Sequence, residues 1–360
     1  MIQDFVLFEY LNSLNEEVRD YFKILSPLYP LWLDDYINTK ALKRLSKISM
    51  NCGTDYSKCF NVQYFYSNLE HSVGVALILW HFTKDKKQTL AGLFHEIANP
   101  TFRHCIDFMY DDSLKQEKTQ KNTKETILAS TEIINLLKRD NISIEEVCDY
   151  KKYPLADNET PKLAADRLEY NFSGGLTLFK VWNISDIKEI YNNITILKNE
   201  DGKEELGFTS LDIGEKYLQT VSKLWPSWIS DTDRTLMQFY ADMCKSLSKI
   251  GELTVKDLYS LSEKEIIDKF LNCKDSYLKE AFQNFLKVTK AYSSDIYKED
   301  KYCVKVTTKS RYIIPLVRIK GKERRITEVS SISQKIINDY LNIPKGGYYT
   351  YFDFVFKPYN

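Results

Sequence analysis

The chain is short of histidine and of net charge, and it has no long apolar run. Four histidines stand among 360 residues, while Lys plus Arg and Asp plus Glu balance at 50 each. That balance gives no overall pull toward nucleic acid or an anionic membrane. The longest apolar run, Val73 to Trp80, is far too short to span a bilayer, so no membrane partner is expected. The opening Met-Ile-Gln-Asp-Phe-Val-Leu-Phe lacks the basic region and cleavage site of a signal peptide. Seven cysteines are an odd number, and none forms a Cys-x-x-Cys pair. This favours reduced thiols in a cytoplasmic protein over a disulfide or zinc framework. No Gly-x-x-x-x-Gly-Lys loop or dinucleotide fingerprint is present, so ordinary ATP or NAD sites lack support.

What the chain does have is concentrated. All four histidines, His71, His81, His95 and His104, fall between positions 71 and 104, with carboxylates beside them. Histidine is the commonest metal ligand and titrates near neutrality, so the crowding points to a metal or acid–base site. Helical spacing is predicted over about 69–82, 87–98, 101–110 and 124–138, after a mostly helical first 50 residues. A further helix is expected from the Thr160-Pro161 cap to the Ser173-Gly174-Gly175 stop. Residues 194–208 read as a hairpin, more helices follow to about 292, and 302–307, 312–319 and 348–356 read as strands around a helix at 331–341. We expect three parts: a helical domain over 1–180, a mainly helical extension with a hairpin over 181–295, and a small α+β region over 296–360.

Leu69, Val73, Ala76, Leu77 and Trp80 predict an apolar stripe that buries His71. Leu90, Leu93, Phe94 and Ile97 do the same beside His95 and Glu96, near a helix end imposed by Pro100. A third helix offers Asp166, with Tyr170 one turn on. His71, His95, Glu96 and Asp166 together make an imidazole–carboxylate set suited to one divalent ion: Mn, Fe, Co, Ni or Zn rather than Mg. Each histidine taken singly reads rather as a satisfied core residue; it is the set that points to the site. The His-Glu-x-x-His signature of zinc proteases is absent, because Asn99 stands where its second histidine belongs. His104 and Asp107, three apart, form either a surface ion pair or an imidazole raised in pKa by a carboxylate and suited to proton donation. His81 reads as structural.

The same residues resemble the HD superfamily of metal-dependent phosphohydrolases, in the branch similar to deoxynucleoside triphosphate triphosphohydrolases. The likeness lies in Ala41-Leu-Lys-Arg-Leu-Ser-Lys-Ile, Glu70-His-Ser-Val-Gly-Val, Leu93-Phe-His-Glu-Ile-Ala-Asn-Pro-Thr-Phe-Arg-His, Ala165-Asp-Arg-Leu-Glu-Tyr and Ser310-Arg-Tyr-Ile-Ile-Pro-Leu-Val. It implies an HD-domain helical bundle, an ion held by His71, His95, Glu96 and Asp166, catalysis by His104 with Asp107, and phosphate contacts from Arg167 and Tyr170. It also implies a homo-oligomer. The chain departs from the family at five positions. His95-Glu96 replaces His-Asp, and the glutamate reaches roughly 1.5 Å further. Asn68 stands in place of a phosphate-binding arginine, Asn99 and Lys124 in place of histidines, and Gly174 in place of an acid.

Residues 301–325 carry nine cations and one acid, Glu323, a run able to contact phosphate or nucleic acid or to form a solvated face. The expected function is therefore a metal-dependent phosphohydrolase acting on a nucleotide, including a dNTP, or on another phosphate ester. The alternatives are a degenerate nucleotide-binding sensor or scaffold on the same fold, and a nucleic-acid-directed phosphoesterase using 301–325.

Overall fold

The computed structural model describes residues 9–62, 64–109 and 122–359. Helices dominate among them, and seven strands form two small sheets, so the fold is mainly α with an α+β part. No helix among the described residues is long and apolar enough to cross a membrane.

The His71 helix spans Asn68–Thr83. Ser67 caps it in a reciprocal box: its hydroxyl accepts from the Glu70 N–H, and the Glu70 carboxylate accepts from the Ser67 N–H. The expected stripe is in fact burial all round, since every residue from Asn68 to Leu79 is buried. Such a helix lies inside the core rather than on its surface. The next helix, Lys86–Phe94, stops four residues sooner than its spacing predicts. His95 to Ala98 form tight turns ahead of Pro100, with the Ile97 N–H on Phe94 O and the Asn99 N–H on Glu96 O. Residues 101–104 are also turns, and a short helix covers Cys105–Met109. Position 110, in the predicted 101–110 helix, lies outside the described residues. The predicted 124–138 helix is two, Thr123–Ala129 and Thr131–Arg139, broken at Ser130, which caps the second.

The Asp166 helix spans Ala165–Thr177. It does not begin at Thr160-Pro161, because that stretch is bonded elsewhere: the Leu163 N–H donates to Glu205, and Pro161 O accepts from Ile314. Nor does it stop at the two glycines. Gly175 is helical, and a Cβ there would lie 2.1 Å from the Trp182 ring, so this glycine serves close packing.

The strands are β1 (Ile194–Lys198), β2 (Glu204–Phe208), β3 (Tyr292–Ser294), β4 (Tyr302–Val304), β5 (Leu316–Ile319), β6 (Lys322–Arg325) and β7 (Tyr349–Phe352). The expected 194–208 hairpin is β1–β2, and the three predicted C-terminal strands are present but shorter. One sheet runs β1-β2-β5-β6 with β2 and β5 parallel; the other runs β3-β7-β4. Strands from the middle of the chain thus pair with strands from its end.

Two hydrophobic cores result. The first packs the His71, His95 and Asp166 helices with the N-terminal helices and the Leu211–Val221 helix. The second packs the helices Asp231–Lys249, Glu263–Asn272 and Ser276–Phe285 with Phe102, Ile106 and Phe108 and with Phe352, Phe354 and Phe356. Aromatics cluster densely in the second core: Phe239 lies 4.3 Å from Phe285 and 5.2 Å from Tyr302, centroid to centroid.

Candidate metal centre and catalytic cleft

The first core brings His71, His95 and Glu96 together. Each offers a ligand atom within 4.8 Å of the others, and all three are buried. His71 Nε2 lies 3.1 Å from His95 Nε2 and 3.1 Å from Asp166 Oδ1, and His95 Nε2 lies 3.5 Å from Glu96 Oε1. Both imidazoles have their other nitrogen committed. His71 Nδ1 bonds Glu169 Oε2, and His95 Nδ1 bonds the Gly92 carbonyl. Both partners can only accept, so each Nδ1 carries the proton, and each neutral ring aims a lone pair from Nε2 into the same space. Two lone pairs 3.1 Å apart beside two carboxylates require a positive charge between them. The donor set therefore fits a divalent ion. Without one, a proton takes the place: burial works against protonating His71, but Glu169 and then Asp166 raise its pKa to about 9. Burial also works against ionising Asp166, yet His71 foremost holds it well below the usual carboxylate range.

Glu169 is a residue that the sequence reading quoted in a motif but gave no role. Fully buried, it accepts from Tyr66 Oη at 2.6 Å, from Tyr21 Oη at 3.3 Å and from Ser173 Oγ at 3.2 Å, besides His71. Gly74 makes room for it, since a Cβ there would lie 2.7 Å from Glu169 Cγ. The available signal was its spacing, one turn after Asp166 on the same helix.

The extra length of Glu96 is taken up by Arg103. Its Nη2 donates to Glu96 Oε1 at 2.9 Å, with both side chains buried. Burial raises the Glu96 pKa, but Arg103 foremost and then the histidines bring it down to about 2, so it stays ionised. Asn68 approaches the other oxygen, with Nδ2 3.5 Å from Oε2. Arg103 gets there through left-handed backbone at Phe102 and Arg103, with φ of 63° and 47°. No spacing rule announces such a turn.

His104 and Asp107 do pair, with Nδ1 3.0 Å from Oδ2, and neither is a surface residue. The expected rise in the His104 pKa is reversed. Burial lowers it most, Arg103 and Arg311 lower it further, and Asp107 only partly opposes them. Asn99 does not cap a helix, since turns follow it; its Nδ2 is buried without a hydrogen-bond partner among the described residues. Lys124 pairs with Glu145 on the surface. His81 packs on Phe82 and Tyr191.

Glu96, Asp166, Arg103 and His104 line one cleft of about 210 Å³. Arg167 and Tyr170 line it too. Arg167 is held by Asp157 at 3.2 Å and Asn158 at 2.8 Å, and Tyr170 meets Trp228 edge to face at 5.4 Å. Gly174 opens that aromatic end, where its Cβ would just touch Trp228. Asp233, raised by burial to a pKa of about 7 although Arg311 opposes this, completes the wall. Of the basic 301–325 stretch, Lys309 and Arg311 turn into the cleft. Lys301, Arg318, Arg324 and Arg325 are ion-paired, Arg325 with Glu200 and Glu205.

No family model matches the chain. It is 25% identical over 139 residues to YdhJ, an uncharacterised protein of Bacillus subtilis, covering 38% of this chain and 41% of that one. It is 22% identical over 206 residues to a metal-dependent phosphohydrolase, cns2, of Cordyceps militaris, covering 55% and 57%. The chain thus spans about half, or less, of these curated relatives. A phosphohydrolase crystal structure from Bacteroides thetaiotaomicron superposes with a TM-score of 0.64 at 14% identity, over 92% of this chain and 97% of that one. A hypothetical protein from Aquifex aeolicus gives 0.62 at 17%, over 91% and 93%. The two crystal structures show the fold over nearly the whole chain.

Proposed function

We propose that the chain is a metal-dependent phosphohydrolase acting on a small phosphate ester of nucleotide type. The observation that carries this is the pair of Nε2 lone pairs converging beside Glu96 and Asp166, two carboxylates that line the same cleft as His104, the partner of Asp107. His71, His95, Glu96 and Asp166 would hold one ion, Mn, Fe, Co, Ni or Zn in preference to Mg. Such an ion acidifies water and offsets charge on phosphoryl oxygens. Asp107 holds the His104 ring by Nδ1, leaving Nε2 to protonate the departing oxygen as water adds to phosphorus and the ester P–O bond breaks. An arriving phosphate brings negative charge beside Arg103 and Arg311, which opposes their part in lowering the His104 pKa. Arg167, steadied by Asp157, and Tyr170 hold the phosphate, and Lys309 and Arg311 add to the cationic wall. The aromatic end at Tyr170 and Trp228 suits a planar leaving group such as a nucleoside.

The test is metal content together with turnover of a panel of nucleotides and simple phosphate esters, for the wild type and for Asp166→Ala. One equivalent of metal and turnover that follows it, both lost in the variant, is the expected result. Turnover retained in Asp166→Ala would end this reading.

One observation favours a second reading, a nucleotide-binding protein without turnover: Glu96 is already paired with Arg103, which competes with its use as a ligand. Tight nucleotide binding at negligible metal content would favour it. A nucleic-acid substrate is the weakest reading, because much of the 301–325 charge is ion-paired within the chain.

A further inference from the structure

We propose that Arg103 is a phosphate-binding residue, contacting the phosphoryl oxygens of the substrate as well as steadying Glu96. The inference rests on the phosphohydrolase reading above and gives a role to a residue that the Leu93–His104 motif contains but to which neither the resemblance nor the comparisons assign one. Arg103 is 4% exposed and yet lines the cleft. Its Nη2 is on Glu96 and its Nη1 on the Met50 carbonyl at 2.8 Å, while Nε is buried with no hydrogen-bond partner among the described residues. A buried guanidinium normally satisfies its whole fork, and planar two-point recognition of phosphate oxygens is what that fork does best.

Its location gives the open donor a use. Arg103 touches an ion ligand, Glu96, and precedes the proposed acid, His104, closely enough to depress its pKa. A phosphoryl group held between ion and acid therefore lies beside this guanidinium. The backbone is also arranged around it. Phe102 and Arg103 both take left-handed φ values, which a bulky residue adopts only when its surroundings enforce them. The second core supplies that force: Thr101 N–H donates to Leu258 O, Thr101 Oγ1 donates to Leu261 O, and Phe102 stacks on Tyr240 at 4.5 Å.

The experiment measures inorganic phosphate binding to metal-loaded protein by calorimetry, with metal content and ester turnover alongside, for wild type, Arg103→Gln and Arg103→Lys. Both variants should keep the ion. The phosphate Kd should rise at least tenfold in Arg103→Gln and several-fold in Arg103→Lys, which retains the charge but not the fork. Arg103→Lys keeps a cation on Glu96, so it carries the test if Arg103→Gln does not fold. Wild-type phosphate affinity in a folded variant, with wild-type turnover established, would overturn the Arg103 assignment and leave the phosphohydrolase reading standing. A wild-type protein that neither binds phosphate nor hydrolyses any ester would overturn both.

Discussion

The two walls of the cleft are built by different means. The proposed ion wall is four side chains placed by the first core, two on helices and two on the turn after Phe94: His71 is sealed inside an all-round buried helix and braced by Glu169. The other wall, Arg103 and His104 with Asp107 behind it, sits on a turn and a five-residue helix that belong to the second core. Thr101 and Phe102 tie that turn to residues more than a hundred positions away. The contrast teaches that ion binding and turnover should be separable in this chain. One depends on packing within the first core and the other on contact between the two.

The most severe way to break the comparison is at the ion. His95→Ala removes one of two converging lone pairs, so metal content should fall below a tenth of an equivalent and turnover to background. A variant that keeps its ion would show that the four residues are not the ligand set. Next is His104→Asn, which keeps a polar side chain but loses the titrating nitrogen. Turnover should fall on the order of 10²–10⁴-fold with the ion retained. Joint loss of metal and turnover would erase the distinction between the walls. Third is Glu169→Gln. The amide can still meet His71 but cannot enforce its tautomer, and metal affinity should weaken by roughly 10–100-fold. Competition against a chelator reads this directly, and an unchanged affinity would refute the bracing role.

His71 also makes the ion wall sensitive to pH. Its pKa rises from about 6.5 unfolded to about 9 in the metal-free fold. The linked stability is fully present below about pH 6.5 and is lost as pH climbs through 9. The metal-free protein should thus lose several degrees of Tm across that window, while the loaded protein, in which ligation displaces the proton, should not. Loading at pH 7.5 should release about one proton, seen as a dependence of binding heat on buffer ionisation enthalpy.

The proposed ion wall was legible in the sequence because helical periodicity marks the segments that carry it. His71 and Asp166 fall on largely buried helices, and His95 and Glu96 in the turn that directly follows the Lys86–Phe94 helix. The other wall was legible only as the pair His104–Asp107, a local i, i+3 contact. Arg103 was missed because its reach depends on two left-handed residues that the second core enforces, and local propensity argues against both. Lys309 and Arg311 were visible as charge but not as cleft residues. Their placement follows from β5 pairing with β2 across a long separation, which no local pattern records. The helix expected from Thr160 failed for the same reason: Glu205 and Ile314, distant in sequence, hold that loop open.

The gentlest test sharpens the comparison furthest. Thr101 is fully buried, and its hydroxyl donates to Leu261 O at 2.7 Å, one of two bonds that strap the turn to the second core. Thr101→Val keeps the shape, loses that donor and leaves the part-buried Leu261 carbonyl short of it, at a cost of ~1 kcal/mol. The left-handed turn should relax, moving Arg103 and His104 while the first core stays packed. We expect a lower Tm, a several-fold lower kcat and metal affinity within twofold of the wild type. If metal affinity instead fell in step with kcat, the strap would be holding Glu96 through Arg103, and the two walls would be one mechanical unit.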